Sequence, residues 1–453
     1  MIWNILIIAV MITTASTRLI SYHFGIPASA YLALIPLFAG ALLYPRPYTW
    51  RRIDGAVAAL TAIPVLWFPV SGIIALNADH PFPWNQFFQQ ASFSLLMYTG
   101  YFATRFLPLR NPGFVFWAFL FIIGLAVPVL FLQQLGIVDQ FYPLEDDSIL
   151  AGFSDPTTGL TRFRNMGFFG NWHDAGVSVL LEFLAFYSLI TAAKSQSGKF
   201  TWLAAMVLTL GGILLTSARA ELVMAGLTLV SWQLFAEPFL LGEKGVMFRN
   251  LGRIAGVGLL VVAAGWVAFL NYPEIFAATQ IVANGLDFIQ REGRVGDNLN
   301  TIYFLADDPV RALFGWGMGS GGIPVTEGEL VVPVNTVDLS FTINLANYGI
   351  LGLLAYGGLL TYILAVLLDM RKHILRLTDG GRGWFTLRVM SDYSLIGVWC
   401  TILSMGTAFF IDNRVYMNLL FLVLGALVNS YDRILTPGTL PGQDYHAASL
   451  RAA

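Results

Sequence analysis

Arginines are the residues whose type and position in this sequence could do chemistry. Eight of them fall in or beside segments predicted to lie on one side of a membrane, where no lysine accompanies them: Arg18, Arg162, Arg164, Arg219, Arg291, Arg294, Arg311 and Arg414. A planar guanidinium forms forked hydrogen bonds with phosphate, which an ammonium group does not. This all-arginine set therefore favours binding of a phosphate or diphosphate over a merely solvated face.

Arg219 lies in the motif LLTSARAELVMAG, at the turn between two apolar segments. A helix is predicted to begin there, and its free N–H groups and positive dipole end favour an anion beside the guanidinium. The alternative is a boundary arginine that extends its guanidinium from the membrane to water. Position alone leaves both interpretations open.

Arg291 and Arg294 precede a segment typical of an amphipathic helix and then the glycine-rich run GWGMGSGG. That run lacks the GK[ST] ending of a nucleotide-binding P-loop, so a flexible lid is favoured. Asp338 follows, about one turn before the next apolar segment. It suits a helix N-cap, and a carboxylate there could also activate or orient an acceptor hydroxyl.

A second polar segment, TRFRNMGFFGNWHDAG, carries Arg162, Arg164, His173 and Asp174 just before the sixth apolar segment. Glu182 lies inside that apolar segment, where a carboxylate is a functional candidate by default, although a protonated structural group explains it nearly as well. The five histidines of the chain are scattered without ligand spacing. We therefore expect no metal site and no cofactor.

The composition places these residues in a membrane. Of the 453 residues, 57% are apolar and 11% are charged, whereas about a quarter are charged in soluble domains. Apolar windows long enough to cross a bilayer predict about twelve spans, although eleven or thirteen also fit. The windows lie at 1–16, 27–44, 55–76, 86–107, 114–135, 173–193, 199–216, 219–236, 253–270, 342–368, 391–411 and 414–430.

Charge bias predicts the orientation of these spans. Most of the 25 lysines and arginines, including every lysine, fall on the side that also holds both termini. That side is cytoplasmic by the positive-inside rule. The sequence thus predicts an all-α polytopic membrane protein: one transmembrane helical bundle over 1–435, outer loops at 136–172 and 271–341, and a disordered cytoplasmic tail over 436–453. The larger loop separates spans 9 and 10, and the smaller one is expected to be irregular with one surface helix.

The motifs around Arg219, Arg294 and Asp338, with RFRNMGFFGNWHDAG before them, resemble those of the O-antigen polymerase/ligase superfamily. The resemblance lies in their order, their spacing and the side of the membrane that they share. The resemblance covers about 162–356. It implies a GT-C-like glycosyltransferase of the bacterial inner membrane whose large loop is periplasmic. Arg219, Arg294 and Asp338 would be its catalytic residues. The ligases typically carry histidine at the position of Asp338, whereas the polymerases often carry aspartate, as this sequence does. The remaining candidates would bind substrate: Arg162, Arg164, His173, Asp174, Arg291, Arg311 and Arg414.

The resemblance also implies the reaction and the partners. The donor would be a growing saccharide on undecaprenyl diphosphate, and the acceptor a hydroxyl of another lipid-linked repeat unit. Guanidinium groups, rather than a metal, would stabilise the departing diphosphate. The expected partners are these two glycans, the lipid bilayer and a chain-length regulator, with no nucleic acid.

Other functions stay open at this point. An O-antigen ligase would transfer the glycan to a lipid acceptor instead. A twelve-span secondary transporter or lipid-linked sugar flippase fits the span number, but such proteins often consist of two related halves, and no half-repeat is visible here. A septal or elongation-type peptidoglycan polymerase also uses lipid diphosphate donors, but its motifs find no match in this sequence.

Overall fold

The computed structural model describes residues 2–25, 29–43, 48–76, 98–139, 141, 152–154, 161–163, 166–169, 172–216, 219–236, 309–315, 340–376, 382–405 and 413–435. The regular elements of these residues are helices, apart from two strands of three residues each. In this described part of the chain, six helical segments are long and apolar enough to cross a membrane: Arg52–Ile73, Phe114–Gln134, His173–Ala192, Gln196–Leu215, Asn344–Arg376 and Arg414–Leu435. This is the architecture of a polytopic membrane protein, because a helix satisfies its own backbone hydrogen bonds where lipid offers none.

Among the described residues, seven helices precede the strands. They are α1 (Ile2–Ala15), α2 (Thr17–Phe24), α3 (Ser29–Leu43), α4 (Arg52–Leu76), α5 (Thr99–Phe106), α6 (Phe114–Gly124) and α7 (Ala126–Gln134). Only a single residue, Leu125, separates α6 from α7, and Pro128 follows it. Proline has no N–H to donate to the carbonyl four residues earlier, which explains an interruption inside one apolar span.

The strands β1 (Gly152–Ser154) and β2 (Thr161–Phe163) form an antiparallel pair within the smaller predicted outer loop. Gly152 pairs with Phe163, and Phe153 pairs with Arg162. The sequence predicted irregular structure there, since three residues are too few for a readable period-two alternation.

The other helices that the structure describes are α8 (Trp172–Ala192), α9 (Gln196–Leu215), α10 (Arg219–Ser231), α11 (Pro309–Phe314), α12 (Ser340–Arg376), α13 (Arg382–Ser404) and α14 (Arg414–Leu435). A π-helical turn, Trp232–Ala236, continues α10.

Ten of the predicted spans coincide with helices, and the helix at 391–411 begins earlier than predicted, at Arg382. Of the predicted span 86–107, the structure describes only residues 98–107, and these include α5. The predicted span 253–270 and the tail 436–453 lie outside the described residues, as does the loop 271–341 apart from 309–315 and the start of α12.

Two helices form the centre of the bundle. In α14, 94% of the span is buried inside the protein, and in α8, 83% is buried, against 17% in α9. α14 packs against α5 and α8, while α8 also packs against α9 and α13. The first residues of these two central helices are therefore held by the bundle itself, which matters because several candidate residues lie there.

Candidate functional site

Three helices begin beside one another at the end of the bundle that the sequence predicts to be periplasmic. They are α8, α10 and α14, and two contacts join them: His173 of α8 with Glu221 of α10, and Asp174 of α8 with Asn413 before α14. We call this set the N-terminal junction: His173, Asp174, Glu221, Asn413 and Arg414. The positive ends of three helix dipoles meet here.

His173 and Glu221 form an ion-pair contact in the junction. Nδ1 of His173 lies 2.5 Å from Oε1 of Glu221; the carboxylate is 0% exposed and the imidazole is 23% exposed. Glu221 lies in the first turn of α10, where a negative side chain is favourable to the helix dipole. Among the described residues neither carboxylate oxygen of Glu221 has a hydrogen-bond partner, so the contact is one of ion-pair distance alone, and Nε2 of His173 is itself buried.

Asp174 and Asn413 form the second contact. Nδ2 of Asn413 donates to Oδ1 of Asp174 at 2.9 Å, and both residues are 6% exposed. Oδ1 of Asn413 accepts from the backbone N–H of Tyr416 at 2.9 Å, the bond of an N-cap. One side chain thus caps α14 and ties it to α8, so the beginnings of both central helices are fixed together.

The junction contains or adjoins four of the ten residues singled out in the sequence. His173 and Asp174 are members, and Arg414 follows Asn413 directly as the first residue of α14. Arg219 is the first residue of α10, two positions before Glu221. Two arginines therefore begin helices at the same end of the bundle.

The other candidate residues lie elsewhere or are not described. Arg162 lies in β2, and Arg311 lies in α11, which packs against α12. The catalytic candidates Arg294 and Asp338 lie outside the described residues, as do the substrate-binding candidates Arg164 and Arg291. Their proposed roles stay predictions.

The docking of α11 depends on two glycines with positive φ. Gly349 interrupts α12 at φ 64° and ψ −171°, and a Cβ there would lie 2.3 Å from the carbonyl oxygen of Leu313. A Cβ on Gly315 (φ 79°) would lie 2.5 Å from the carbonyl oxygen of Ala346. Only glycine, which has no Cβ, permits the backbones of α11 and α12 to approach so closely. These two glycines therefore allow α11, which belongs to the larger predicted loop, to pack against α12.

Sequence reasoning missed Glu221 and Asn413 as members of the site. Glu221 lies within the motif around Arg219. A carboxylate in the first turn of a helix is common because the helix dipole favours it there, so its position indicated no further role. Asn413 stands 239 residues from its partner Asp174. No spacing rule connects residues so far apart, so only the packing of α8 on α14 could reveal that pair.

Glu182 is buried in the middle of α8, at 3% exposure. Its Oε1 lies 3.3 Å from the Cβ position of Gly124 at the α6–α7 interruption. Within the described residues, its Oε2 has no hydrogen-bond partner. Its functional role stays a hypothesis.

At the opposite end of the bundle, arginines that the charge bias counted only as cytoplasmic form an internal network with buried carboxylates. Nε of Arg105 donates to Asp54 at 2.8 Å, and its Nη2 lies 2.7 Å from Asp432. Arg51 also pairs with Asp432, and the Tyr101 hydroxyl donates to Asp54 at 2.5 Å. Arg105 is 0% exposed. These groups tie α4, α5 and α14 together rather than facing water.

Among the described residues, no three His, Cys, Asp or Glu side chains are grouped so that they could hold a metal ion.

Comparisons with known proteins identify no family. No family model matches the chain, and no curated protein matches it. The fold is similar to a chain of a solved peptidoglycan synthase complex, described for its structural coordination of polymerization and crosslinking. The TM-score is 0.44 and the identity 18%, over 84% of this chain and 98% of that chain. A similarity of this strength assigns no activity, and the resemblance to the O-antigen polymerase/ligase superfamily stays a prediction.

Proposed function

We propose that this chain is a glycosyltransferase that polymerises undecaprenyl-diphosphate-linked oligosaccharide units, as in O-antigen or exopolysaccharide synthesis, at the periplasmic face of the bacterial inner membrane. The observation that supports this best is the meeting of three helix N-termini, two of which begin with the arginines Arg219 and Arg414. Helix N-termini and guanidinium groups both favour anions. A diphosphate is an anion that would use several of them at once.

The chemistry follows from the charge that develops during transfer. When the bond between the anomeric carbon and the diphosphate oxygen breaks, negative charge accumulates on the leaving diphosphate. Donors fixed in a partly desolvated site stabilise that charge without reorganising. The lipid carrier would remain in the bilayer beside the bundle while the sugars occupy the outer face. Arg294, from the larger loop, would complete the set of guanidinium groups.

The polymerase is preferred to two alternatives. A ligase would use the same donor and the same arginines, and we prefer the polymerase because Asp338 stands where the ligases carry histidine. A transporter or flippase would require charged groups along a path through the membrane. Among the described residues, the carboxylate Glu182 is buried within α8, whereas the paired charges Arg105, Asp54 and Asp432 tie helices together at one end.

The proposal is tested with purified protein in lipid vesicles, supplied with an undecaprenyl-diphosphate-linked oligosaccharide. Polymer length and the release of undecaprenyl diphosphate are measured. We expect Arg219→Ala and Arg294→Ala each to lower the rate by about 10²–10³, the typical cost of one transition-state donor. Arg219→Lys should restore the charge but not the forked hydrogen bonds, and so only part of the rate.

The matched control is Arg110→Ala, an exposed arginine at the opposite end of the bundle, which should polymerise normally. Near-normal polymer from both Arg219→Ala and Arg294→Ala, at equal protein levels, contradicts the arginine mechanism. Transfer of the glycan only to a lipid A core acceptor identifies a ligase. Movement of the lipid-linked oligosaccharide across the bilayer without bond formation identifies a flippase.

A further inference from the structure

We propose that the protein binds the phosphate of an anionic phospholipid headgroup where α8 and α12 end and α13 begins, at the end of the bundle that charge bias predicts to be cytoplasmic. α13 packs against both other helices there. We call the residues that join them the interface cluster: Thr191 of α8, Arg371 of α12, and Arg388 and Asp392 of α13. The site goes beyond the proposed function and does not depend on it.

The first argument is the charge of the interface cluster. Nε of Arg371 donates to Oδ1 of Asp392 at 2.5 Å, and the Thr191 hydroxyl lies 3.2 Å from Oδ2. Arg388 bonds to a carbonyl rather than a carboxylate, since its Nη2 donates to the backbone oxygen of Thr191 at 3.2 Å. Two guanidinium groups and one carboxylate leave the cluster with one net positive charge.

The second argument is a buried donor. Nε of Arg388 is shielded from solvent and has no hydrogen-bond partner among the described residues. A buried donor left unpaired is costly, and more so on a charged group. Arg371 uses Nε on Asp392 while its side chain stays 14% exposed. A phosphate offers oxygens to both arginines, and a guanidinium matches phosphate geometry.

The third argument is depth in the membrane. Thr191 lies in the last turn of the predicted span 173–193, Arg371 follows the predicted span 342–368 by three residues, and Arg388 precedes the predicted span 391–411 by three. Three residues of helix rise about 4.5 Å, and the headgroup region is about 5–8 Å thick on each side of the bilayer. The interface cluster therefore lies at the level of the lipid phosphates.

The Arg105 network at the same end shows what a purely structural arrangement looks like. Its arginines, Arg51 and Arg105, are matched by two carboxylates, Asp54 and Asp432. Nη1 of Arg105 also has no hydrogen-bond partner in the described residues, but the side chain is 0% exposed, so no lipid reaches it. The interface cluster differs in both respects, because its charge is unbalanced and Arg371 is accessible.

The charge also selects the class of lipid. The phosphodiester of phosphatidylglycerol carries one negative charge, which equals the net positive charge of the interface cluster. Phosphatidylcholine adds a cation of its own, which would lie near two guanidinium groups. Basic groups beside or between spans on the cytoplasmic side attract anionic headgroups in this way.

The experiment titrates the full chain, purified in detergent micelles, with phosphatidylglycerol or with phosphatidylcholine of the same acyl chains. Native mass spectrometry measures the Kd of the first bound lipid. We expect the wild type to prefer phosphatidylglycerol. Arg388→Gln can still donate to the Thr191 carbonyl but carries no charge, so it should raise the Kd for phosphatidylglycerol about five- to tenfold and leave that for phosphatidylcholine unchanged.

Asp392→Asn tests the site in the opposite direction. It removes the carboxylate that competes for Arg371 and should lower the Kd for phosphatidylglycerol about fivefold. A folding defect would not strengthen binding, so this variant separates a lipid site from a structural role. The matched control is Arg376→Gln, an exposed arginine at the end of α12, which should leave both Kd values unchanged.

Three results would overturn the proposal. They are equal affinity of the wild type for the two lipids, an equal rise in Kd for Arg388→Gln and Arg376→Gln, and no gain in affinity for Asp392→Asn. Sodium phosphate, replacing sodium chloride at constant ionic strength, should displace no bound phosphatidylglycerol. Displacement would assign the site to a soluble anion and so also contradict a lipid site.

Discussion

Replacement of Asn413 by alanine should loosen the N-terminal junction by a measurable amount. The substitution removes the N-cap bond to the backbone N–H of Tyr416 and the bond from Nδ2 to Asp174, each 2.9 Å long. An N-cap contributes about 0.5–2 kcal/mol, and a hydrogen bond to a charged group about 1.5–3 kcal/mol. We therefore expect Asn413→Ala to lower the free energy of unfolding by about 2–5 kcal/mol.

Two further variants divide that loss between its causes. Asn413→Ser retains an oxygen that can cap α14, but its short side chain cannot donate to Asp174 as the amide does. It should therefore lose only the contribution of the bond between α14 and α8, about 1.5–3 kcal/mol. Asn413→Asp retains the cap acceptor but places a second carboxylate opposite Asp174, and it should be at least as destabilising as the serine variant because like charges repel in a buried site.

The assay is reversible unfolding in mixed micelles with increasing sodium dodecyl sulfate, followed by circular dichroism. A double-mutant cycle with Asp174→Ala isolates the coupling between α8 and α14, which should be about 1.5–3 kcal/mol. A change within 0.5 kcal/mol for Asn413→Ala refutes this reasoning. Additive effects in the cycle, to within about 0.5 kcal/mol, show that the two helices are held by other contacts.

Two other predictions concern the packing around the site. Arg105→Ala leaves the buried carboxylates of Asp54 and Asp432 short of a partner and should cost about 3–5 kcal/mol in the same unfolding assay, whereas Arg110→Ala at the same end should change little. Gly349→Ala should cost about 1–3 kcal/mol in backbone strain alone, because its Cβ would lie 2.3 Å from Leu313, and should separate α11 from α12. Its control is Gly358→Ala, where a Cβ meets nothing within 4 Å. Unchanged stability for Arg105→Ala, or equal effects at the two glycines, contradicts these expectations.

Much of the helical architecture follows from the sequence. Apolar windows predicted helices at ten positions where the structure has them, because a bilayer leaves the backbone no partner but its own helix. The same hydropathy gave no warning of the Gly349 interruption in α12 or of the docking of α11 on it. Both depend on a close backbone contact between segments that are distant along the chain.

For the candidate site, too, the sequence revealed one part and the structure the other. Residue type and the order of the motifs were enough to single out Arg219, His173, Asp174 and Arg414 as candidates on one side of the membrane. The sequence assigned no partner to any of them, and it counted Arg105 only among the basic residues of the cytoplasmic side.

Within the described residues, the sequence by itself determined ten of the helical segments and the common end of the bundle at which Arg219 and Arg414 lie, since both follow from the local transfer of side chains and backbone into lipid. Only the tertiary structure decided that His173 meets Glu221 and that Asn413 joins α14 to Asp174. Such pairs depend on the rotation of each helix about its axis and on its neighbours. Those are set by packing across the whole bundle, which no local pattern of residues records.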